Sequence, residues 1–584
     1  MQVKRLRLVN FRGFGDQAIE PRQHVMLVGE PRAGRSDVIE ALRRLFNPDS
    51  TRFPLTEPLD FHCGNVNERA EATVVIGGLG TDLEQRFFDQ IEVWDNQANE
   101  LVPELGAHDL LGDQHELVVR LCYRAQWNPE EKIADHWVDF PKFSDPTTGQ
   151  WDIVRRQQRE SLPFAAVQPA SRPLDLAARS TFRRVVDAAD GDDFASSIDA
   201  LTAGLGDLAA DLAKGLQVGN ALEQVMMALR ARVEVDKPAS DVVRFIPEGG
   251  SMGALIRSLG PAVDLDDGAG LLPLSRHGST LRALFSVSEA LFSIAGTAGI
   301  VVADDFGEDL DPGSTVHLAA CLRARAGQAW LSTRRSSAAE SFEPDEIVRL
   351  AVRGGNRSVF YGPSLRTKPE RIAAQFISRR LLPEAASGAI AVGEGIHDST
   401  TISALARRMF QDGVSLLPAA AGTSIVDAAG DGGGGIDAVP KVTSAARMLG
   451  FRTVAFIDWD RDAGRAQERL RRAEAAADCV VRLPQNADIE VALLDGLDDD
   501  TIRDALLTIQ PLVGQFGVLI PNKAWTESDA GLKKSAADVI KSSVGFHAQF
   551  IDALPSGTYP PLAVRLLRAI VAAAQGSTTG VVQL

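Results

Sequence analysis

Along the first residues, MQVKRLRLVNF, basic and apolar positions interleave, with Val3, Leu6 and Leu8 on the apolar side. This predicts a strand with one apolar face, ending at NFRGF. HVMLVGEP then runs as a continuous apolar strand into a glycine turn, and DVIEALRRLF sets Val38, Ile39, Leu42, Leu45 and Phe46 at helical spacing with Asp37 in the first turn. The order is strand, loop, helix. EATVVIGGL and HELVVRLCYR predict further strands before about residue 165. From about 175 to 235 the pattern is helical, with Ile198, Leu201, Leu205, Leu208 and Leu212 recurring at steps of three and four. That face suits either packing within the domain or a dimer seam, although Gly204 and Gly206 interrupt a continuous coiled coil. Strand patterns return at GIVVADDF and before LSTRRSS. A boundary is expected between about 362 and 385, around Pro363 and Pro369. Strand-turn-helix grammar restarts at AIAVGEG and continues through a glycine run at Gly432 to Gly435, the strand TVAFIDWD and a helical C-terminal portion.

The 584 residues suffice for about three or four domains. With 45% apolar and 24% charged residues, the chain is neither disordered nor collagen-like. The 78 acidic and 61 basic residues give a net charge of -17, which argues against bulk attraction to nucleic acid or an anionic membrane. Nucleic acid would have to meet a local basic patch or a metal site. Cys63, Cys122, Cys321 and Cys479 form no C-x-x-C pair, which argues against a zinc ribbon and a disulfide framework and fits a reducing cytoplasm. The N-terminus lacks an apolar leader, and no run approaches the roughly 18 apolar residues of a membrane span, so a cytoplasmic location away from the membrane is expected.

GEPRAGRS, Gly29 to Ser36, fits the phosphate loop G-x-x-x-x-G-K-[ST] with Arg35 in the lysine position. Small residues let backbone N–H groups face phosphate oxygens ahead of a helix N-terminus, and Gly34 serves that purpose while Ser36 offers a hydroxyl to Mg²⁺. A tight strand-to-helix turn is the plainer alternative. IVVADDFGEDLDP puts Asp304 at a strand end, where a carboxylate can hold Mg²⁺, with Asp305 beside it as a water-orienting base. Together NFRGF, the phosphate loop, LSRHGS, the ADDFGEDLDP segment and LSTRR resemble, in this order, the ABC-type ATPases of the RecF, SMC and OLD group. The resemblance implies that Arg12 reaches the nucleotide, that Ser275 and Gly278 cap the ATP of a second subunit, and that Asp309 and Asp311 lie in the loop joining the two sites. Three departures weaken hydrolysis: Arg35 replaces lysine, Asp305 replaces glutamate and Arg334 replaces a histidine. About 240 residues separate the two loops, too few for long coiled-coil arms, so a compact helical dimerisation insert is expected.

In the last third, AIAVGEGIHDS places Glu394 after a short strand and Asp398 four residues on. FIDWDRDAG places Asp458 and Asp460 two apart at the end of the strand TVAFI, where the period of two puts both carboxylates on one face, and Asp462 beyond them. NADIEVALL repeats the spacing with Asp488 and Glu490. Clustered carboxylates are costly without a cation, and oxygen-only donors suit Mg²⁺ or Mn²⁺. Glutamate after a first strand, D-x-D after a later one and a glycine loop between them resemble the Toprim domain; with D-I-E they resemble the two-metal nucleases of the OLD family. By that resemblance Glu394 and Asp398 serve one metal region, Asp458 and Asp460 bridge, and Asp488 and Glu490 serve the second. A lysine then steadies charge on the scissile phosphate: Lys541, Lys533 and Lys534 all qualify, with Lys541 favoured by the VGFHAQFIDAL helix after it.

The expected architecture is α/β. An ABC-type ATPase head occupies 1–170 and 263–365, a helical dimerisation insert 171–262, and a Toprim nuclease domain 385–584. The resemblance, to OLD-family ATPase-Toprim nucleases and to the nuclease subunit of Gabija-type anti-phage defence, implies a metal-dependent DNA endonuclease controlled by nucleotide. It implies ATP with Mg²⁺ in the head, Mg²⁺ or Mn²⁺ in the Toprim site, and a homodimer or larger even-numbered oligomer with a helicase-like or other defence partner. The alternatives are a nucleotide-sensing scaffold whose Toprim half acts only with a partner, and a RecF-like DNA-repair ATPase.

Overall fold

Two kinds of strand pattern in the sequence produce two kinds of sheet. A computed structural model describes residues 1–105, 112–167, 173–174, 182–183, 215–230, 236–246, 260–265, 268, 270–294, 298–429, 435–459, 463–515 and 529–584. They divide into two units, Met1–Val359 and Phe360–Leu584.

In the first unit, interleaved strands build an antiparallel sheet from β1 (Gln2–Phe11), β2 (Phe14–Ile19), β4 (Ala70–Gly77), β5 (Ile91–Asp95), β6 (Glu100–Leu101), β7 (His115–Asn128) and β8 (Ile133–Asp139). The order is β2-β1-β4-β7-β5-β6, with β8 on β7. Leu6 and Leu8 of β1 are buried, while Arg5 and Arg7 on the other face bond Glu20 and Asp16 at 2.8 and 2.9 Å. A bulge between Val3 and Arg5 accounts for the three-residue step from Val3 to Leu6 in an otherwise alternating strand.

The continuous apolar runs enter a second sheet. It comprises β3 (Val25–Gly29), β9 (Phe164–Val167), β13 (Ile300–Ala303), β14 (Gln328–Ser332), β15 (Ile347–Arg353) and β16 (Asn356–Tyr361), in the order β16-β15-β3-β14-β13-β9. From β15 to β9 the pairs are parallel. Burial on both faces explains why such strands carry no alternation. The first unit's longer helices are α1 (Arg35–Phe46), α2 (Leu216–Arg230), α3 (Ser279–Ser293) and α4 (Pro312–Arg325). All five apolar positions expected on α1 are buried. The buried Gln328 amide joins the two sheets: its Oε1 accepts from the Val3 N–H at 2.8 Å and from Trp330 Nε1 at 2.9 Å.

Between 171 and 262 the described residues are not wholly helical. β10 (Val243–Ile246) pairs antiparallel with β11 (Gly260–Val263), which pairs with β12 (Leu272–Pro273). Val243, Phe245 and Ile246 form a β-branched and aromatic run too short for a helix. The heptad-like residues Ile198, Leu201, Leu205, Leu208 and Leu212 lie outside the described residues.

The second unit centres on five parallel strands, β17 (Ala389–Gly393), β18 (Thr423–Asp427), β19 (Arg452–Ile457), β20 (Cys479–Arg482) and β21 (Gly580–Gln583), in the order β18-β17-β19-β20-β21. Its helices are α5 (Lys368–Phe376), α6 (Ile396–Gln411), α7 (Val439–Met448), α8 (Ala463–Ala476), α9 (Ile489–Leu494), α10 (Asp499–Gln515), α11 (Asp529–Lys541), α12 (Val544–Ala553) and α13 (Pro561–Ala574). Ile402, Leu405, Phe456, Val481, Leu493, Phe550 and Leu566 belong to one core, each large side chain contributing about 1.5–3 kcal/mol by burial. The strand order reverses between β17 and β19, and the carboxyl ends of the strands at such a switch point open a crevice.

This unit starts at Phe360, just ahead of the boundary expected between about 362 and 385. Pro369 occupies the first turn of α5, where its missing N–H costs nothing, and Thr367 caps the helix by accepting from the Glu370 N–H. What reads as a linker proline is a helix start. The C-terminal helices also end in a strand, β21, rather than closing the chain.

Candidate functional site

In the first unit, β3 delivers the chain to a loop and α1 carries it away. Gly29 (φ 141) ends β3 so close to β15 that an added Cβ would lie 2.0 Å from the Leu350 carbonyl oxygen, a position only glycine tolerates. Ser36, in the first turn of α1, donates from Oγ to Asp304 Oδ1 at 3.1 Å. Asp304 follows β13 and also accepts from Ser332 Oγ at 2.5 Å and from the Asp305 N–H at 3.1 Å. The fold thus joins the hydroxyl and the strand-end carboxylate that the sequence reading paired. A cavity of about 640 Å³ adjoins them, lined by Arg12, Arg32, Gly34, Arg35, Ser36 and Arg357 among others.

Several neighbouring charges are engaged within the protein. Arg35 donates to the Thr333 carbonyl, and burial holds its pKa below the ordinary arginine value. Arg334 pairs with Asp305 at 3.2 Å and Glu308 at 3.3 Å. Arg12 pairs with Asp60 at 2.8 Å and approaches Asp37 at 3.6 Å. Glu30, in the loop itself, lies 3.2 Å from the wholly buried Arg349 and 3.0 Å from Arg353; burial draws Arg349 down to about 10. Ser275 and Gly278 are exposed just before and at the cap of α3. Asp311 is the N-cap of α4, accepting from the Ser314 N–H at 2.9 Å.

In the second unit, the carboxylates gather at the carboxyl ends of the parallel strands. Glu394 follows β17 and accepts from the Asp458 N–H, just beyond β19, at 2.9 Å. Asp398, in the first turn of α6, accepts from the Gly395 N–H at 2.7 Å and is buried; burial and the Glu490 charge push its pKa to about 6. Burial first, then the charges of Asp398, Glu394, Asp488 and Glu490, raise Asp458 well above the usual carboxylate range. All five acids therefore share one field. Glycine at 393 leaves room for Phe456, whose ring would lie 2.6 Å from an added Cβ.

Asp488 and Glu490 do not repeat a strand-end pair, because Asp488 is the N-cap of α9, accepting from the Val491 N–H at 2.9 Å, and Glu490 lies in its first turn. Asp458 likewise stands past the end of β19, so a two-residue strand period does not govern it. Asp460 and Asp462 lie outside the described residues. Of the three lysines, Lys541 meets the cluster, 3.4 Å from Asp488 and 3.7 Å from Glu490. Burial opposes its charge, but Glu490, Asp488 and Asp458 raise its pKa overall.

Two histidines complete the surroundings and were missed in the sequence. His547 Nε2 lies 3.1 Å from Glu490 Oε1, and His547 Nδ1 lies 3.4 Å from His397 Nδ1. Although burial works against it, the His547 bond and the Lys541 charge hold Glu490 below its usual value. The available signal was one polar residue among Phe546, Phe550 and Ile551, the buried face of α12.

No model of a known protein family matches the chain, and no curated protein matches it. Among solved structures it is similar to an SMC head bound to the C-winged helix domain of ScpA, at 13% identity and a TM-score of 0.38, covering 62% of this chain and 97% of that one. At that level the functional reading rests on the chain's own side chains. No helix among the described residues is long and apolar enough to cross a membrane.

Proposed function

We propose that the chain is a divalent-metal-dependent DNA endonuclease of the OLD kind, with a nucleotide-responsive N-terminal unit. The observation that carries this reading is the convergence of Glu394, Asp398, Asp488 and Glu490 on Asp458 at the switch point of the parallel sheet. So much like charge in a partly buried site calls for cations, and oxygen donors favour Mg²⁺ or Mn²⁺. Glu394, Asp458 and Asp398 would hold one ion and Asp488 with Glu490 a second, with Asp460 a further donor. Ions held there supply Lewis acidity for attack of water on a phosphodiester and stabilise the leaving oxygen. Lys541, at the exposed rim, meets the phosphate and draws the nucleic acid to a chain whose overall charge repels it.

In the first unit, Ser36 and Asp304 would hold Mg²⁺ beside ATP, with Arg12, Gly29, Gly34 and Arg35 around the phosphates. Exposed Ser275 and Gly278 suit the nucleotide of a second subunit, hence a homodimer or larger even-numbered oligomer. A role in anti-phage defence, with a helicase-like or other partner, belongs to the same proposal. A second reading, a nucleotide-sensing scaffold that cuts only with a partner, is favoured by the internal engagement of Arg35 and Asp305.

Incubation of the purified protein with supercoiled plasmid and Mg²⁺ or Mn²⁺, with and without ATP, separates the readings. Nicking that requires the ion and disappears in Glu394→Ala and Asp458→Asn is expected. Full cleavage by both variants, each melting like the parent, overturns the nuclease site; absence of cleavage by the parent under every condition favours the scaffold.

A further inference from the structure

We propose that His397 and His547, backed by Glu490, form a separate site for a nitrogen-seeking transition-metal ion of the Zn²⁺ and Co²⁺ class, adjoining the oxygen cluster. The residues come from three elements, α6, α12 and α9, and one ligand-type atom from each lies within 4.8 Å of the others. His547 is completely buried and Glu490 nearly so. The Nε2 of His547 meets Glu490 Oε1 at 3.1 Å, which places a proton on Nε2, so that a neutral ring presents its Nδ1 lone pair toward His397 Nδ1 at 3.4 Å. The rings are inclined at 63° with centroids 4.6 Å apart.

Around a tetrahedral ion bound by imidazoles at about 2.0–2.1 Å, two ligand nitrogens stand about 3.4 Å apart. The two Nδ1 atoms already have that spacing. A carboxylate behind a metal-binding imidazole is the arrangement that sets the tautomer and raises the ligand's basicity. Glu490 therefore orients His547 while its other oxygen, 3.7 Å from Lys541, faces the acidic cluster. Imidazole donors select borderline ions over Mg²⁺, so the two sites would discriminate between cations by ligand chemistry. This site stands whether or not the chain cleaves DNA.

Titration of the full-length protein with Co²⁺, followed by visible absorption, tests it. The expected result is about one equivalent of strongly absorbing, tetrahedral cobalt per chain, displaced by Zn²⁺ and not by an equal concentration of Mg²⁺. His397→Ala, which alters a half-buried ring at the start of α6, should weaken cobalt binding at least tenfold, as should His547→Gln, while Asp458→Asn keeps the signal. If His547→Gln does not fold, His397→Ala decides alone. Absence of the signal in the parent, or its persistence in His397→Ala, overturns the site and leaves a hydrogen-bonded His–His–Glu chain.

Discussion

The loop site of the first unit and the carboxylate site of the second are both built at strand ends, yet they treat charge in opposite ways. Around Ser36, several charges are matched internally: Arg12 by Asp60, Asp305 by Arg334 and Glu30 by Arg349 and Arg353. Around Asp458, four further acids raise its pKa, and Lys541 reaches only their rim. A matched site is stable as it stands and must be rearranged to act. An overcharged site is costly as it stands and is relieved by a cation. On the proposed function, the contrast assigns the chemistry to the second unit and the control to the first.

Removing a charge should therefore have opposite consequences in the two places. In the second unit, Glu394→Ala or Asp458→Asn should lower metal-dependent cleavage at least 100-fold, about 3 kcal/mol of barrier, while melting in EDTA stays level or rises because repulsion is relieved. A fall of several degrees in both variants would show that the acids hold the fold. In the first unit, Glu30→Ala removes the carboxylate 3.2 Å from the wholly buried Arg349 and should cost stability, up to about 3–5 kcal/mol, read by denaturant unfolding. Parent-like stability would show that other contacts of Arg349, or solvent, carry its charge.

The pH dependence of the metal-free protein sharpens the same contrast. Asp398, pushed to about 6, and Asp458, raised well above the usual carboxylate range, bind protons more tightly folded than unfolded. Stability from this source is complete below the unfolded carboxylate pKa of about 4 and is lost as pH rises through the folded values. In EDTA the second unit should lose up to about 3 kcal/mol from Asp398 between pH 4 and 7, and saturating Mg²⁺ should restore most of it. A midpoint that is flat in EDTA would count against the shared field. The smallest effect belongs to the nucleotide loop. ATP turnover should be slow, and Arg35→Lys should raise it several-fold only together with Asp305→Glu, because loop charge and water positioning are separate requirements. Brisk turnover by the parent would show that the internal pairs open freely.

Strands and α1 were legible because burial on one or both faces writes itself as alternation or a continuous apolar run, and helix burial as a three-to-four step. Glu394 and Asp458 were legible because each follows such a strand. Asp488 and Glu490 were found by spacing, which does not give their setting: the Asp before IEVALL is a helix cap, and only the fold shows it. His397 and His547 are 150 residues apart in sequence, and no local pattern announces a contact made by folding α12 against α6. Pro369 was read as punctuation because a linker proline and a first-turn proline look alike until the helix is seen. The strands between 243 and 263 were hidden beside a longer helical pattern.

The most direct measurement is Mn²⁺ binding, followed by loss of the free-ion magnetic resonance signal during titration of parent and Asp458→Asn. The parent should take up divalent ions at its carboxylate cluster in competition with Mg²⁺, and the variant, folded equally well, should bind the Mg²⁺-competed ions at least tenfold more weakly. A parent that leaves Mn²⁺ free at millimolar concentration, or a variant that binds those ions as tightly, would contradict a cation site at Asp458.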